Sequence, residues 1–417
     1  MISLSIRPLR AVLAGASLCA LAMPACAAPA PSFSELLRQA DNFPRLREAR
    51  AGIDEAEGLL RQSTARPNPT VNLEVENFGG NGPFRGGDNA ETTASVEQTI
   101  ELGGKRNARR AVGEAGLVSA KARSEAAKAD FTFDLAEAYA AAEAADIRLE
   151  LARDARSLAE EDARIANALV KAGTEPELRS IQANAAVDSA QADIDEALAE
   201  RDSSFAKLTA LVAAPTPITS IPASLLAHAD ADEALPVIDP LQTPAYLAAR
   251  AERDRIAKQI RVEQTRTSPD LTVSVGVRRL AGDDANALVG GVSVPFPFFD
   301  RNRGNISAAQ ADLNAAEERL NMARLDAQAD AQSATAHLRA SVSRVRAVIA
   351  NERAATEAYR LTRIGYESGK LPQSELVTAR RVLTDAHEQT LTAKLDRLSA
   401  EAALARLQGI APFGDAS

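Results

Sequence analysis

Thr70-Val-Asn-Leu-Glu-Val-Glu-Asn77 alternates strictly, with Val71, Leu73 and Val75 on one side of an extended chain and Asn72, Glu74 and Glu76 on the other. Leu271-Thr-Val-Ser-Val-Gly-Val-Arg278 repeats the pattern. Segments from about 92 to 100 and 288 to 296 supply partners, the second with Leu288, Val292, Val294 and Phe296 on one side. The alternation predicts two β-hairpins, 70–100 and 271–297, closed by a Gly-rich loop at 78–91 and a shorter stretch at 281–287. The period then changes. Between 102 and 170 there is no proline, and apolar positions recur at steps of three and four, as in Leu135, Ala138, Ala142, Ala145, Leu149 and Ala152. That spacing predicts one helix about 100 Å long at ~1.5 Å per residue. Ala172-Gly173 ends it, and beyond Pro176 a second helix runs to about 212. The sequence then repeats itself: a helix at 305–366, a break at Ser368-Gly369, Pro372, and a helix to about 407. Shorter helices, about 33–65 and 246–267, precede the strand pairs. Pro215, Pro217, Pro222, Pro236, Pro240 and Pro244 mark an irregular connector.

The repetition keeps one offset of 196 residues without a gap. Val96 falls on Val292, Leu117 on Leu313, Gly173 on Gly369, Pro176 on Pro372, Arg201 on Arg397 and Leu208 on Leu404. Ahead of the hairpin loops, Pro67-Asn-Pro-Thr-Val71 matches Pro269-Asp-Leu-Thr-Val273 at an offset of 202, which places a six-residue difference in the Gly-rich loop. The chain divides into 1–28, a first repeat 29–213 with helical hairpin 102–212, a Pro-rich connector 214–244, a second repeat 245–409 with helical hairpin 305–407, and a tail 410–417.

Residues 1–28 read as an export signal: Arg7 and Arg10, an apolar run to Met23, then Ala25-Cys26-Ala27-Ala28 at an A-x-A cleavage site. A lipidated Cys26 is the alternative fate of this end. Both cysteines, Cys19 and Cys26, lie here, which excludes a disulfide framework from the rest of the chain. Without Arg7 and Arg10, 46 basic residues face 57 acidic ones, so nucleic acid is no partner. No later segment has 18 consecutive apolar residues, which excludes a transmembrane helix but not transmembrane strands. Aromatics are 4% and Trp is absent while Ala abounds, which suits long helices in close approach rather than a core of large side chains.

The strand pattern fits a lipid-facing barrel and, equally, a soluble sheet packed on helices. In lipid, four strands would leave edge N–H and C=O groups unsatisfied at several kcal/mol each. Three chains supply twelve strands, enough to enclose an aqueous lumen. The duplication makes such a trimer nearly six-fold symmetric.

Gln98-Thr-Ile-Glu-Leu-Gly-Gly-Lys-Arg106 and Pro295-Phe-Pro-Phe-Phe-Asp-Arg-Asn-Arg-Gly-Asn-Ile306 follow the second and fourth strands. They resemble the strand-to-helix junctions of the TolC-like outer-membrane efflux family, and within it the heavy-metal (cobalt-zinc-cadmium) resistance branch. The resemblance implies a mainly α fold with a small β part: a trimeric α-barrel of long helical hairpins joined to a 12-stranded transmembrane β-barrel. It implies an outer-membrane homotrimer in contact with lipid, a periplasmic adaptor and an inner-membrane proton-driven pump, with no cofactor and no chemistry of its own. The cargo would be divalent heavy-metal cations; organic compounds or drugs are the alternative within the family, and a secreted helical scaffold without a pore the alternative outside it.

Gly103, Gly104, Asp300, Asn302 and Gly304 are the junction residues of this resemblance. The helix breaks would be adaptor-docking tips. Arg363-Ile-Gly-Tyr-Glu-Ser-Gly-Lys370 resembles the family's Tyr-x-x-Gly turn, and the candidates are Leu169, Lys171, Gly173, Tyr366 and Gly369. Glu375 aligns with an acidic position that rings the closed aperture in relatives; its counterpart Arg179 departs from that pattern and is expected to pair with a neighbouring Glu375. His228-Ala-Asp-Ala-Asp-Glu233 is the one metal-like segment, but a connector lacks the fixed outer bonds a dedicated site needs. His337 and His387 are isolated on helices. Gly103-Gly-Lys-Arg106 lacks the Walker spacing, and no catalytic constellation stands out.

Overall fold

The computed structural model describes residues 28–230 and 238–413; the export leader with Cys19 and Cys26, the connector stretch 231–237 with Asp232 and Glu233 of the metal-like segment, and the last four residues lie outside them. Two long helical hairpins dominate. The first is α3 (Lys105–Lys171) and α4 (Leu178–Leu211), the second α6 (Arg303–Glu367) and α7 (Gln373–Gln408). Two shorter helices, α2 (Pro44–Ser63) and α5 (Pro244–Thr265), lead into the strand pairs β2 (Thr70–Glu76) with β3 (Glu91–Ile100) and β5 (Leu271–Leu280) with β6 (Ala285–Ser293). The strands form one antiparallel sheet ordered β2-β3-β5-β6. α3 and α6 leave this sheet and turn back some 65 residues later, so sheet and helical tips lie about 100 Å apart.

Three departures from the sequence reading have local causes. The helix expected over 33–65 is broken into α1 (Phe33–Arg38), a 3₁₀ turn at Ala40–Asn42, and α2. Pro44 has no N–H to donate and drives Phe43 to extended backbone, φ −79° and ψ 150°. The fourth strand ends at Ser293 instead of running to 296, because Pro295 cannot donate to a ladder. The Pro-rich connector is not irregular throughout: β4 (Ile218–Ser220) pairs in parallel with β1 (Ala28–Pro29).

The largest apolar core lies at mid-length of the hairpins, where Phe33, Leu36 and Phe43 meet Phe131, Leu135 and Tyr139 of α3, Phe205 and Leu208 of α4, and Leu391 and Leu398 of α7. The connector is fastened onto it by polar anchors. Glu143 accepts from the backbone N–H of Leu225 at 2.8 Å and Leu226 at 3.1 Å, and Tyr139 donates to Ala223 O at 2.9 Å. The repeat-related Arg201 and Arg397 both serve here, donating to Thr219 O and Ala229 O. Two copies of one arginine thus hold two different stretches of the segment that joins the repeats.

Candidate functional site

Strand register sorts the sheet into two unlike faces. Val71 opposes Val96, Val96 opposes Val275, and Val273 opposes Val292, so these side chains share one face. That face is uncovered: Val71 is 76% exposed, Leu288 85% and Val292 70%. The opposite face carries Glu74, Glu76, Glu91, Glu97, Thr93, Ser95, Ser274 and Arg278. Arg278 sits among its carboxylates, Nη1 2.9 Å from Glu91, Nη2 3.2 Å from Glu76, with Nε donating to Thr93 Oγ1 at 2.9 Å. Four carboxylates to one guanidinium leave this face acidic. An apolar face next to a charged one, across a single layer of backbone, suits lipid on one side and water on the other. The sheet's outermost strands are β2 and β6.

At the two strand-to-helix corners the backbone turns through left-handed residues. Gly103 (φ 70°) and Gly104 (φ 78°) precede α3, and a side chain on Gly103 would collide with Ser268. Asp270 closes this corner, 2.8 Å from Lys105 Nζ and accepting from Leu102 N at 3.2 Å. Before α6, Asn302 adopts φ 53°, its N–H donating to Asp300 Oδ1 at 2.8 Å and its amide to Glu263 O at 2.8 Å. Gly304 lies in the first turn of α6, where open space surrounds it. The five junction residues of the sequence reading are therefore divided between two corners of different construction.

Both helical tips close in the same way. Thr174 N donates to Leu169 O at 3.0 Å and Gly173 N to Val170 O at 3.0 Å; Lys370 N donates to Gly365 O and Gly369 N to Tyr366 O, each at 2.9 Å. This paired bonding around a left-handed glycine (φ 76° and 69°) ends a helix and reverses the chain. Lys171, Gly173 and Gly369 are exposed and Leu169 is half-buried. Tyr366, a docking candidate, is not at the surface: it is 3% exposed and packs with Leu169, Leu376 and Tyr359. Its ring lies inward because a tip of four helices buries the face of α6 that meets α3 and α7. The exposed apolar residues here include Leu178, Ile181, Leu361, Ile364 and Leu371, which the sequence reading passed over. Within the chain Arg179 faces Glu175 (3.8 Å) and Gln182 (3.4 Å) rather than Glu375, which is exposed.

Above the tips, charged side chains join the hairpins. Arg380 of α7 donates to Asp162 of α3 at 2.8 Å, and Arg363 of α6 pairs with Glu161 of α3 and, at 2.9 Å, with Glu367. Burial pushes the Asp162 carboxyl above its ordinary range, outweighing Arg380 and Arg363, which draw it down. Tyr359 is pushed up to about 12, first by burial and then by the Asp162 charge. The sequence holds one signal for this cluster: Asp162 interrupts the buried stripe Ala159, Ala163, Ala166.

His228 stacks on Phe413, centroids 5.6 Å apart, and His387 Nε2 lies 3.7 Å from Glu352. Among the described residues no group of three or more His, Cys, Asp or Glu is arranged to hold a metal ion, and no helix is long and apolar enough to cross a membrane.

The profile of a family described as outer membrane efflux protein matches residues 37–214 and 241–410. The nickel-cobalt-cadmium resistance protein NccC of Alcaligenes xylosoxydans xylosoxydans is 38% identical over 290 residues, 68% of this chain and 64% of NccC, so the match spans just under two thirds of that relative. The nickel and cobalt resistance protein CnrC of Cupriavidus metallidurans is 39% identical over 285 residues, 68% of each chain. Among solved structures, the outer membrane protein VceC of Vibrio cholerae superposes with a TM-score of 0.73 at 20% identity, covering 90% of this chain and 96% of VceC.

Proposed function

The chain belongs to the outer membrane efflux protein family, and on that footing we propose that it is the outer-membrane channel of a tripartite efflux system, passively conducting divalent heavy-metal cations to the exterior. The observation that carries this reading is the two-faced sheet. Its apolar face suits lipid, and its open edges on β2 and β6 suit closure by further copies, three of which supply a twelve-stranded barrel. Its polar face, with Glu74, Glu76, Glu91 and Glu97 against Arg278, then lines the lumen and favours cations. Relatives named for nickel, cobalt and cadmium resistance support the same cargo.

In this reading the long hairpins continue the lumen through the periplasm of a Gram-negative bacterium. Their tips meet a periplasmic adaptor and an inner-membrane proton-driven pump. Lys171, Gly173 and Gly369 present backbone and charge for docking, Leu169 and Tyr366 support them from within, and Leu178, Ile181 and Ile364 supply exposed apolar contact. Arg179 and Glu375 face the aperture, where an exposed carboxylate from each of three copies attracts cations.

Deleting the gene and measuring tolerance to zinc, cobalt, cadmium, nickel and copper beside a panel of organic toxicants tests the cargo. Loss of tolerance to one or more metals with unchanged organic tolerance is expected. Organic sensitivity with wild-type metal tolerance would overturn the metal assignment and leave the channel.

A further inference from the structure

After β6 the strand-to-helix corner exposes Phe296, Phe298 and Phe299, at 85%, 66% and 95%. Phe296 continues the alternation of Leu288, Val292 and Val294, and so prolongs the sheet's apolar face beyond the last ladder pair, Thr272–Ser293. The chain then folds tightly, with Phe298 N donating to Phe296 O at 2.8 Å, and the Phe298 and Phe299 rings meet edge to face at 5.1 Å. A cluster of exposed rings marks a surface that meets something other than water. A neighbouring copy would not cover it all. Leu102, which the 196-residue offset sets on Phe298, stays 42% exposed although β5 already lies beside its strand.

The same level of the molecule is basic. The ends of α2 and α5 and the starts of α3 and α6 meet the sheet here. Residues 61–66, 101–110, 261–270 and 300–303 hold ten Arg or Lys and four Asp or Glu, in a chain whose formal net charge is −9. The acids are taken up locally. Glu101 binds Arg109, Asp270 binds Lys105, Glu263 binds Arg266 at 2.9 Å, and Asp300 accepts from Asn302 N. Arg61, Arg66, Arg301 and Arg303 are exposed and have no side-chain partner among the described residues. Two of these, Arg301 and Arg303, follow closely on the rings.

Resting on the reading of the sheet's apolar face as lipid-facing, we infer that this corner binds anionic phospholipid of the periplasm-facing leaflet, with the rings at the acyl boundary and Arg301 and Arg303 on the headgroup phosphates. The occupant follows from the chemistry. Rings continuous with a lipid-facing strand reach acyl chains, and the guanidiniums just beyond them lie at headgroup depth, where their forked donors match phosphate oxygens. Free positive charge then favours a lipid of net negative charge over a zwitterionic one. The first corner is built differently: it carries Leu102 and Gly103 in place of the rings, and its Lys105 is bound by Asp270. The site therefore belongs to the second repeat.

The chain contains no tryptophan, so Phe299→Trp installs a single fluorophore at the corner. The full chain is reconstituted into phosphatidylethanolamine–phosphatidylglycerol vesicles in which one lipid or the other carries brominated acyl chains. Brominated phosphatidylglycerol is expected to quench beyond its mole fraction, with an enrichment of about fivefold for a free arginine near the surface. Arg301→Gln with Arg303→Gln in the same background is expected to keep the quenching and lose the preference. Quenching by both lipids in proportion to their mole fractions, or a preference that survives the double substitution, would overturn the inference. So would an unquenched Phe299→Trp beside a quenched Val292→Trp, which leaves the lipid-facing sheet standing. If Val292→Trp is unquenched as well, the sheet does not face lipid and the channel reading itself falls.

Discussion

Arg380 on α7 reaches Asp162 on α3, Nη1 2.8 Å from Oδ2, and this buried pair bridges the two helical hairpins close to their tips. Removing the guanidinium leaves a carboxylate with 5% side-chain exposure and no full compensation. Arg380→Ala is expected to cost about 3 kcal/mol in hairpin stability. With hairpin two freed from hairpin one, the periplasmic aperture opens more often, so single-channel conductance in a planar bilayer rises. Unchanged conductance and unfolding would remove the pair from any part in holding the tip.

The same pair sets a pH dependence. Burial holds the Asp162 carboxyl above 3.8, its ordinary value, so the folded state binds that proton more tightly than the unfolded one. The Asp162 contribution to stability therefore falls as pH rises from 3.8 through the raised value, and is level beyond it. Asp162→Asn has no such titration. Its unfolding midpoint relative to wild type should climb as pH rises from 3.8 through the raised value and then level off, by detergent-phase thermal unfolding of both proteins. A constant difference across that range would count against the burial argument.

Tyr366 is a packing residue whose hydroxyl is buried with no bonding partner among the described residues. Tyr366→Phe should change stability by less than about 1 kcal/mol, since no bond is lost, whereas Tyr366→Ala should cost about 3–5 kcal/mol. Chemical denaturation of the three proteins distinguishes this from direct adaptor contact through the hydroxyl. In that case the Phe variant would lose adaptor cross-linking at wild-type stability.

The repeats end their last helices alike but with different residues. Ala213 holds φ 47° after α4 and Gly409 holds φ 70° after α7, each donating back to the helix, to Ala210 O at 3.2 Å and Arg406 O at 3.1 Å. A Cβ is strained in this conformation, so Ala213→Gly should gain about 1 kcal/mol and Gly409→Ala lose about 1–2 kcal/mol. Thermal shifts of opposite sign in the two variants are the readout.

Val275 and Ser274 are neighbours on opposite faces of the sheet. Val275→Arg places a charge in lipid and should destabilise the barrel by about 2–4 kcal/mol, while Ser274→Arg points to water and should leave folding intact but lower cation conductance. Urea titration in lipid and bilayer recording separate the two. Equal destabilisation by both would mean that the faces are not lipid and lumen.

Period-two and helical spacing, the glycines that end each hairpin and the duplication were all legible because each is written within a few residues or in a fixed offset. Asp162 with Arg380 was not, since 218 residues separate them and only the packing of α3 on α7 brings them together. The inward packing of Tyr366 was not legible for a related reason. In helices where Ala occurs around the whole circumference, the sequence does not say which side will meet a neighbour.

The sequence by itself determined the two strand faces, the hairpin breaks and the equivalence of the halves, because backbone periodicity and turn chemistry are local. Only the tertiary structure decided the order β2-β3-β5-β6, the parallel pairing of β1 with β4, and the rotation of each long helix about its axis. Those depend on contacts between segments far apart in the chain, where many small and similar Ala surfaces compete and the winning arrangement is set by the sum of them.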